Sequence, residues 1–414
     1  MPRFFAPTRP LAFGELVVLL ALMMSMMAFS IDSILPAIPE LTSAFSPDDP
    51  TRAQLVISFF VLGTGVGQLF IGPFSDSFGR RRALVLGIGL FMAGAIWGAF
   101  SGSLTVLLTA RFVQGLGAAS SRIVSQSVMR DMFSGREQAR IGSLIFSFFV
   151  IVPAVAPFVG QIIIAWIGWR GLFGADLMLG LIVLVWYLAR QPETLKPENR
   201  RPFRLGGILR AMIEVLTNRV ALRYLIVMTL GFGQLMAYLS SAQAVYAETL
   251  GVGDKFPLYF AGVALISGSS GYLNSRLVMR LGMRTLANWA FAVQVLVAVP
   301  LFIGWQMGWF DHLSPSVALW LFVFWSVTLF YMNGLTFGNV IALAMEPMGH
   351  IAGTASAVLG ALSSILAVGI AAPIGLAFDG TPRALIGGVA LCSALALALV
   401  WTDRHRERAA RPQH

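Results

Sequence analysis

Four ionisable side chains stand inside apolar stretches of this 414-residue chain. If those stretches cross a bilayer, each ionised group costs roughly 2.5–3.5 kcal/mol. Asp32 closes the run LVVLLALMMSMMAFSID, and no lysine, arginine or histidine lies within fifteen residues on either side of it. Arg111 opens RFVQGLGAA, Arg122 follows eleven residues later, and Asp176 lies six residues beyond Arg170. A buried carboxylate can take up and release a proton, and an arginine can hold a carboxylate or an anionic group. At 1.5 Å per residue, Arg111 (seven residues after Leu104) and Asp32 (seven before Pro39) both lie ~10 Å from the same face. Opposite charges at one depth can pair directly or through water. The competing readings are that Arg111 snorkels outward on its long stem and that Asp32 serves only a helix terminus. Burial and a neighbouring arginine act in opposite directions on a carboxylate's proton affinity. A pair whose exposure alternates could therefore couple proton entry to movement of a substrate. Arg122 either meets anionic groups or snorkels to headgroups. Asp176 is read as structural in preference to a second proton site.

These residues need elements that hold them in a membrane. The chain is 57% hydrophobic and 12% charged, against roughly 25% charged in ordinary globular proteins, which excludes a soluble fold. Twelve spans are expected at 15–39, 53–75, 83–101, 104–126, 141–165, 169–189, 221–246, 256–278, 285–307, 315–341, 351–375 and 382–402. Arg3 and Arg9 before the first run faintly resemble a signal peptide. The run is too long, and Pro36 and Pro39 close it where cleavage is expected, so it is read as an uncleaved helix. Most of the 29 lysines and arginines fall on the side shared by the two termini. They include Arg80 to Arg82, Arg130, Arg136, Arg140, the basic residues between Arg190 and Arg223, Arg276, Arg280, Arg284 and the C-terminal tail. The positive-inside rule makes that side cytoplasmic. The net charge of +10 therefore records topology and contact with anionic lipid, and nucleic acid is not expected as a partner.

The polar stretch QPETLKPENRRPFR (191–204) divides the chain. The expected domains are an N-terminal six-helix bundle (1–189), a cytoplasmic linker (190–220) and a C-terminal six-helix bundle with a basic tail (221–414). The halves echo one another. GPFSDSFGRRRAL (72–84) follows the second span and NSRLVMRLGMRTL (274–286) the eighth, with Gly79 and Gly282 in register. APFVG (156–160) and AAPIG (371–375) sit in spans five and eleven. Repeated six-helix units are how many secondary transporters are built.

In GPFSDSFGRRRAL, Gly72 and Gly79 allow close packing and positive φ, Asp76 can cap or pair, and Arg80 and Arg81 anchor the turn. FVLGTGVGQLFIGPFSDSFGRRRALVLG (60–87) resembles the signature loop of the major facilitator superfamily, with Ser77 where a basic residue is usual. The resemblance covers nearly the whole chain and is strongest to the bicyclomycin/chloramphenicol-resistance (Bcr/CflA) group of twelve-span drug:proton antiporters. DSILPAIP (32–39) is similar to that group's first-helix motif and RFVQGLGAA (111–119) to its fourth-helix motif. WR (169–170), PETL (192–195) and GTASAVLG (353–360) fit as well. VIVPAVAPFVGQ (150–161) meets the fifth-helix antiporter motif in part. It keeps Pro157 and Gly160, but has Ala156 and Gln161 where glycines are usual; small residues there also serve plain packing. The resemblance implies an all-α membrane protein, two pseudo-symmetric bundles and proton-coupled export. It also implies proton coupling at Asp32 and Arg111, a gating loop of Gly72, Asp76, Gly79, Arg80 and Arg81, and packing between the halves at Pro157 and Gly160.

A substrate cavity is expected from Met24 and Phe29 on the Asp32 face of span one, from Gln234, Tyr238 and Ser241 on span seven, and from Asn333 on span ten. Apolar and aromatic walls with few polar groups suit lipophilic molecules, though ordinary helix packing would use the same residues. Glu346 is read as a solvated loop acid. Cys392 is the sole cysteine, and His312, His350, His405 and His414 form no cluster; no metal or other cofactor is expected. No phosphate-binding GxxxxGK[ST] is present, so ATP-driven pumping has no motif. An enzyme would need reactive side chains gathered at one membrane face, and a receptor or scaffold would not need matched intramembrane charges. The expected function is proton-coupled export of lipophilic or amphiphilic small molecules by a monomer in a bacterial inner membrane. An exporter of an endogenous metabolite is the alternative.

Overall fold

Proline and glycine set the helix ends in the first half. In the computed structural model, which describes residues 11–133, 135–200, 202–203 and 205–410, helix α1 runs Phe13–Asp32. Pro36 lacks an N–H, and its ring would clash with the carbonyl four residues earlier, that of Asp32. The chain passes instead through a tight turn, Leu35–Ala37, into α2, Ile38–Phe45. The span expected over 15–39 is thus two helices with a break, and Asp32 is the last residue of the first. Ala37 N bonds Ile34 O at 2.9 Å, so the Ser33 carbonyl leaves the helical ladder. Arg3, Arg9, Arg201, Arg204, Arg411 and His414 lie outside the described residues.

The chain divides into two units, Met1–Arg210 and Ala211–His414. The first continues with α3 (Leu55–Phe78), α4 (Arg80–Ala99), α5 (Leu104–Met132), α6 (Gly135–Ile167) and α7 (Arg170–Arg190). Helix α5 is its centre because small residues let neighbours reach its backbone. A Cβ on Gly63 of α3 would lie 2.1 Å from Phe112 O, and one on Gly115 2.1 Å from Phe60 O. On the other side, a Cβ on Gly94 of α4 would lie 2.5 Å from Gln114 N, and one on Gly117 2.2 Å from Phe91 N. Such contact between small residues gives membrane helices the packing that a lipid solvent does not drive.

Helix α8 (Leu205–Thr217) spans the boundary between the units. The second unit contains α9 (Arg219–Ala244), α10 (Phe256–Gly268), α11 (Ser270–Leu281), α12 (Met283–Gln306), α13 (Pro315–Met345), α14 (Ala352–Leu376) and α15 (Arg383–Ala410). The single span expected over 256–278 is broken at Ser269, within the run SGSSG, whose residues favour helix poorly. Helix α11 is held to α13 by a Gly334–Ser270 approach too tight for a Cβ and by Asn339 Nδ2 donating to Asn274 Oδ1 at 2.7 Å.

Among the described residues, nine helical stretches are long and apolar enough to cross a membrane, and Ile151–Ile167 is a shorter apolar one. Helix α5 falls outside the nine because it carries Arg111, Gln114, Arg122 and several serines. The α10–α11 pair falls outside because of its break.

Candidate functional site

Two of the deep charges of the first unit, Arg111 and Asp176, meet about two turns into α5. Arg111 is fully buried, and each guanidinium nitrogen is engaged. Nη1 donates to Gln114 Oε1 at 2.7 Å, Nη2 to Ser30 O at 2.9 Å, and Nε to Val56 O at 3.4 Å. The guanidinium lies over the Phe60 ring, 4.3 Å from its centroid. Its ionic partner is Asp176 of α7, with Nη1 to Oδ2 at 3.9 Å. Asp176 Oδ2 accepts from Ser30 Oγ at 2.6 Å and from Gln114 Nε2 at 2.7 Å. Gln114 therefore bridges the pair, accepting from the arginine and donating to the carboxylate. Asp176 Oδ1 is buried and has no hydrogen-bond partner.

This corrects the expected Asp32–Arg111 pair. The depths do match, since Arg111 reaches the Ser30 carbonyl two residues from Asp32. Two residues correspond to about 200° of helical rotation, so Ser30 faces α5 and α7 while Asp32 points the other way. Depth counting fixes height along a helix but leaves its azimuth open. Asp32 is buried, with 4% of its surface exposed, and its carboxylate makes no hydrogen bond or ion pair among the described residues. On its side, Met24 and Phe29 are half-buried, and Ser25 and Ala28 are buried. Gly160 of α6 packs on the break beside it, where a Cβ would lie 2.1 Å from Ser33 O. Pro157 is buried one turn earlier. The contact that Gly160 makes is thus with α1, inside its own unit. Arg122 is half-buried and has no ion pair or hydrogen bond among the described residues.

At the arginine-rich end, GPFSDSF is helical, and the turn is Gly79 alone, at φ +102°. A Cβ there would lie 2.5 Å from Glu193 Oε2. Gly72 has neither feature: it sits within α3 with open space around it, which corrects its expected role in close packing and positive φ. Glu193, in the segment after α7, accepts from the backbone N–H of Arg80 (2.9 Å) and of Arg81 (3.1 Å). A carboxylate thus caps the positive end of α4. Arg80 is buried. It donates through Nε and Nη2 to both oxygens of Asp131 at the end of α5, and through Nη1 to Ser75 Oγ and to Asp76, whose side chain is 44% exposed. Thr194 Oγ1 donates to Asp131 Oδ2 at 2.8 Å. Arg81 donates to the carbonyls of Leu188 and Gln191. Sequence reading missed Asp131 and Glu193, although one adjoins Arg130 and the other lies inside PETL.

The second unit repeats the junction with less. Gly282 joins α11 to α12 at φ +78°, with nothing near a notional Cβ. Arg284 donates to Glu346 Oε2 at 2.7 Å and to the Tyr224 hydroxyl at 3.2 Å; Glu346 is ion-paired rather than merely solvated. The expected cavity residues are closed in. Gln234, Tyr238 and Ser241 have at most 1% of their surface exposed, and Asn333 has 9%. Gln234 Oε1 accepts from Ser393 Oγ of α15 at 2.7 Å. Tyr238 packs among Phe322, Trp325 and Phe330 with ring centroids 5.3–6.2 Å apart. Asn333 Nδ2 donates to Leu329 O on its own helix. Among the described residues, no group of three or more His, Cys, Asp or Glu side chains could hold a metal.

The family model described as "Major Facilitator Superfamily" matches residues 18–373. The chain is 30% identical over 407 residues to the uncharacterized MFS-type transporter YdgK of Bacillus subtilis (strain 168), covering 94% of this chain and 96% of that one. It is 30% identical over 340 residues to the bicyclomycin resistance protein homolog of Haemophilus influenzae, covering 81% and 82%. Its fold matches a partially occluded inward open conformation of the xylose transporter XylE from E. coli. The TM-score is 0.71 at 12% identity, covering 94% and 97% of the two chains. That likeness concerns the fold, an all-α, multi-pass membrane architecture.

Proposed function

We propose that this chain, which belongs to the major facilitator superfamily of transporters, exports lipophilic or amphiphilic small molecules from a bacterial cell in exchange for protons. It would do so by alternating access across the inner membrane, with both termini cytoplasmic. A relative named for bicyclomycin resistance supports the substrate class, and the arginine bias supports the orientation.

One observation carries the proton reading. Asp32 is an almost fully buried carboxylate with no hydrogen-bond or ionic partner among the described residues, set at a helix break. An unpaired buried charge is strongly disfavoured, so the site is arranged for a group that comes and goes, a proton or a cationic substrate. Arg111 is already committed to Asp176, Gln114 and Ser30, which leaves Asp32 available. The Gly79 junction is the gate in this reading. Arg80 ties the start of α4 to the end of α5, and Glu193 ties it to the segment after α7, so any movement of α4 against these elements of the first unit breaks charged contacts.

The test is a resistance and accumulation screen over lipophilic drugs in an efflux-deficient bacterium, with wild type and Asp32→Asn expressed to equal membrane levels. Wild type should lower accumulation of at least one compound and the variant should not. Equal efflux by both would exclude Asp32 as the coupling group.

A further inference from the structure

Among the described residues, Asp176 is the one buried carboxylate to which the reading above gives no task. It has 3% of its surface exposed. Two neutral donors, Ser30 Oγ and Gln114 Nε2, both engage Oδ2, while Oδ1 has no partner. A carboxylate kept only to knit helices together would have both oxygens satisfied. Charge balance is what this placement does supply. Arg111 is fully buried and its other hydrogen bonds go to uncharged acceptors, so Asp176 is its sole anionic partner among the described residues.

We propose that Asp176 is a positioning residue for the proton step at Asp32: by neutralising Arg111, it prevents that arginine from holding Asp32 in its ionised form. Ser30 is the mechanical link, since its carbonyl takes Arg111 and its hydroxyl takes Asp176, two residues from Asp32 on the same helix. The inference rests on the reading of Asp32 as the proton carrier.

The charged groups that face this region are few. At membrane depth, α5 contributes Arg111 and Arg122, and α7 contributes Asp176. Residues 55–75 of α3, 83–99 of α4 and 151–167 of α6 carry no charge. Glu15 of α1 is paired with Arg190 at the arginine-rich end. Glu40 of α2 accepts from Trp169 N, and Arg170 donates to the carbonyls of Ala99 and Ser101, both at the opposite end. At an effective dielectric near 20, a unit charge ~10 Å from a carboxylate changes its protonation midpoint by roughly one pH unit.

The experiment is a pH titration of the full-length protein in lipid, followed by infrared difference spectroscopy of the protonated-carboxyl band that disappears in Asp32→Asn. Asp176→Asn leaves Arg111 uncompensated and should move that band's midpoint about one pH unit toward acid, tenfold in proton concentration. Asp176→Glu should restore it. Arg111→Gln leaves Asp176 uncompensated and should move it toward alkali, which supplies a readout if Asp176→Asn is not recovered from the membrane. A midpoint unchanged in the recovered variants overturns the inference, whatever happens to transport rate, because a purely structural role would lower rate without moving the midpoint. If no band disappears in Asp32→Asn, the proton-carrier reading itself fails. The two failures are thereby distinguished.

Discussion

The two units share a helix plan and part company in how they use charge. In the first, Asp32, Arg111 and Asp176 are buried at membrane depth, and a dense set of ion pairs surrounds Gly79. In the second, no aspartate, glutamate, lysine, arginine or histidine is buried among the described residues, and the Gly282 junction rests on Arg284 with Glu346 and Tyr224. Ionised groups are costly at such depth, so they persist where a function uses them. Neutral polar groups cost less and serve helix packing, as Gln234 does with Ser393 and Asn339 with Asn274. In the proposed mechanism the first unit carries the coupling chemistry, and the second presents an aromatic interior around Tyr238 and Trp325.

Perturbations of matching sites can break or sharpen this contrast. Arg111→Leu, which strands Asp176, should be the most damaging, at roughly 3–5 kcal/mol, read as a large loss of thermal stability in detergent. Arg111→Leu combined with Asp176→Leu should recover much of that loss, since a buried pair replaced by apolar groups is often neutral. Gly79→Ala should come next, costing more than the roughly 1–3 kcal/mol that Gly282→Ala costs for its backbone conformation alone, because a Cβ at Gly79 also meets the Glu193 carboxylate. Equal costs would mean that the Glu193 cap contributes nothing. Asp131→Ala removes a bidentate partner of buried Arg80 and should slow turnover more than it weakens substrate binding. Asp76→Ala, at a half-exposed pair worth at most about 1 kcal/mol, should do the same to a smaller degree. Gln234→Leu should be mildest, within about 1 kcal/mol and without effect on the pH dependence of transport. A changed pH profile there would extend the coupling chemistry into the second unit.

Much of this was legible from residue types alone. The run of apolar segments, the position of the polar divide and the Gly79–Gly282 echo follow from composition and turn chemistry, and Arg111 and Asp32 stood out because charge is rare in such segments. Partner choice was less accessible. Ser30 and Asp32 differ by two residues in sequence and by about 200° around the helix, so the same depth count fits either. Only the packing of α1 on α5 and α7 decides which one meets Arg111. Asp131 and Glu193 were hidden for a different reason. They lie at helix ends among other polar residues, where a charge attracts no notice until its partner, Arg80, is found buried. Gln114, one turn after Arg111, could have been found from its i+3 spacing.

The account turns on Asp32, and flux across inverted membrane vesicles tests it most directly. A transported drug identified by the accumulation screen is followed with and without an imposed proton gradient, in wild type and in Asp32→Asn at equal protein density. The account predicts uptake by the wild type that rises several-fold with the gradient, and uptake by the variant that does not respond to it. Gradient-driven uptake of equal size in both would contradict it.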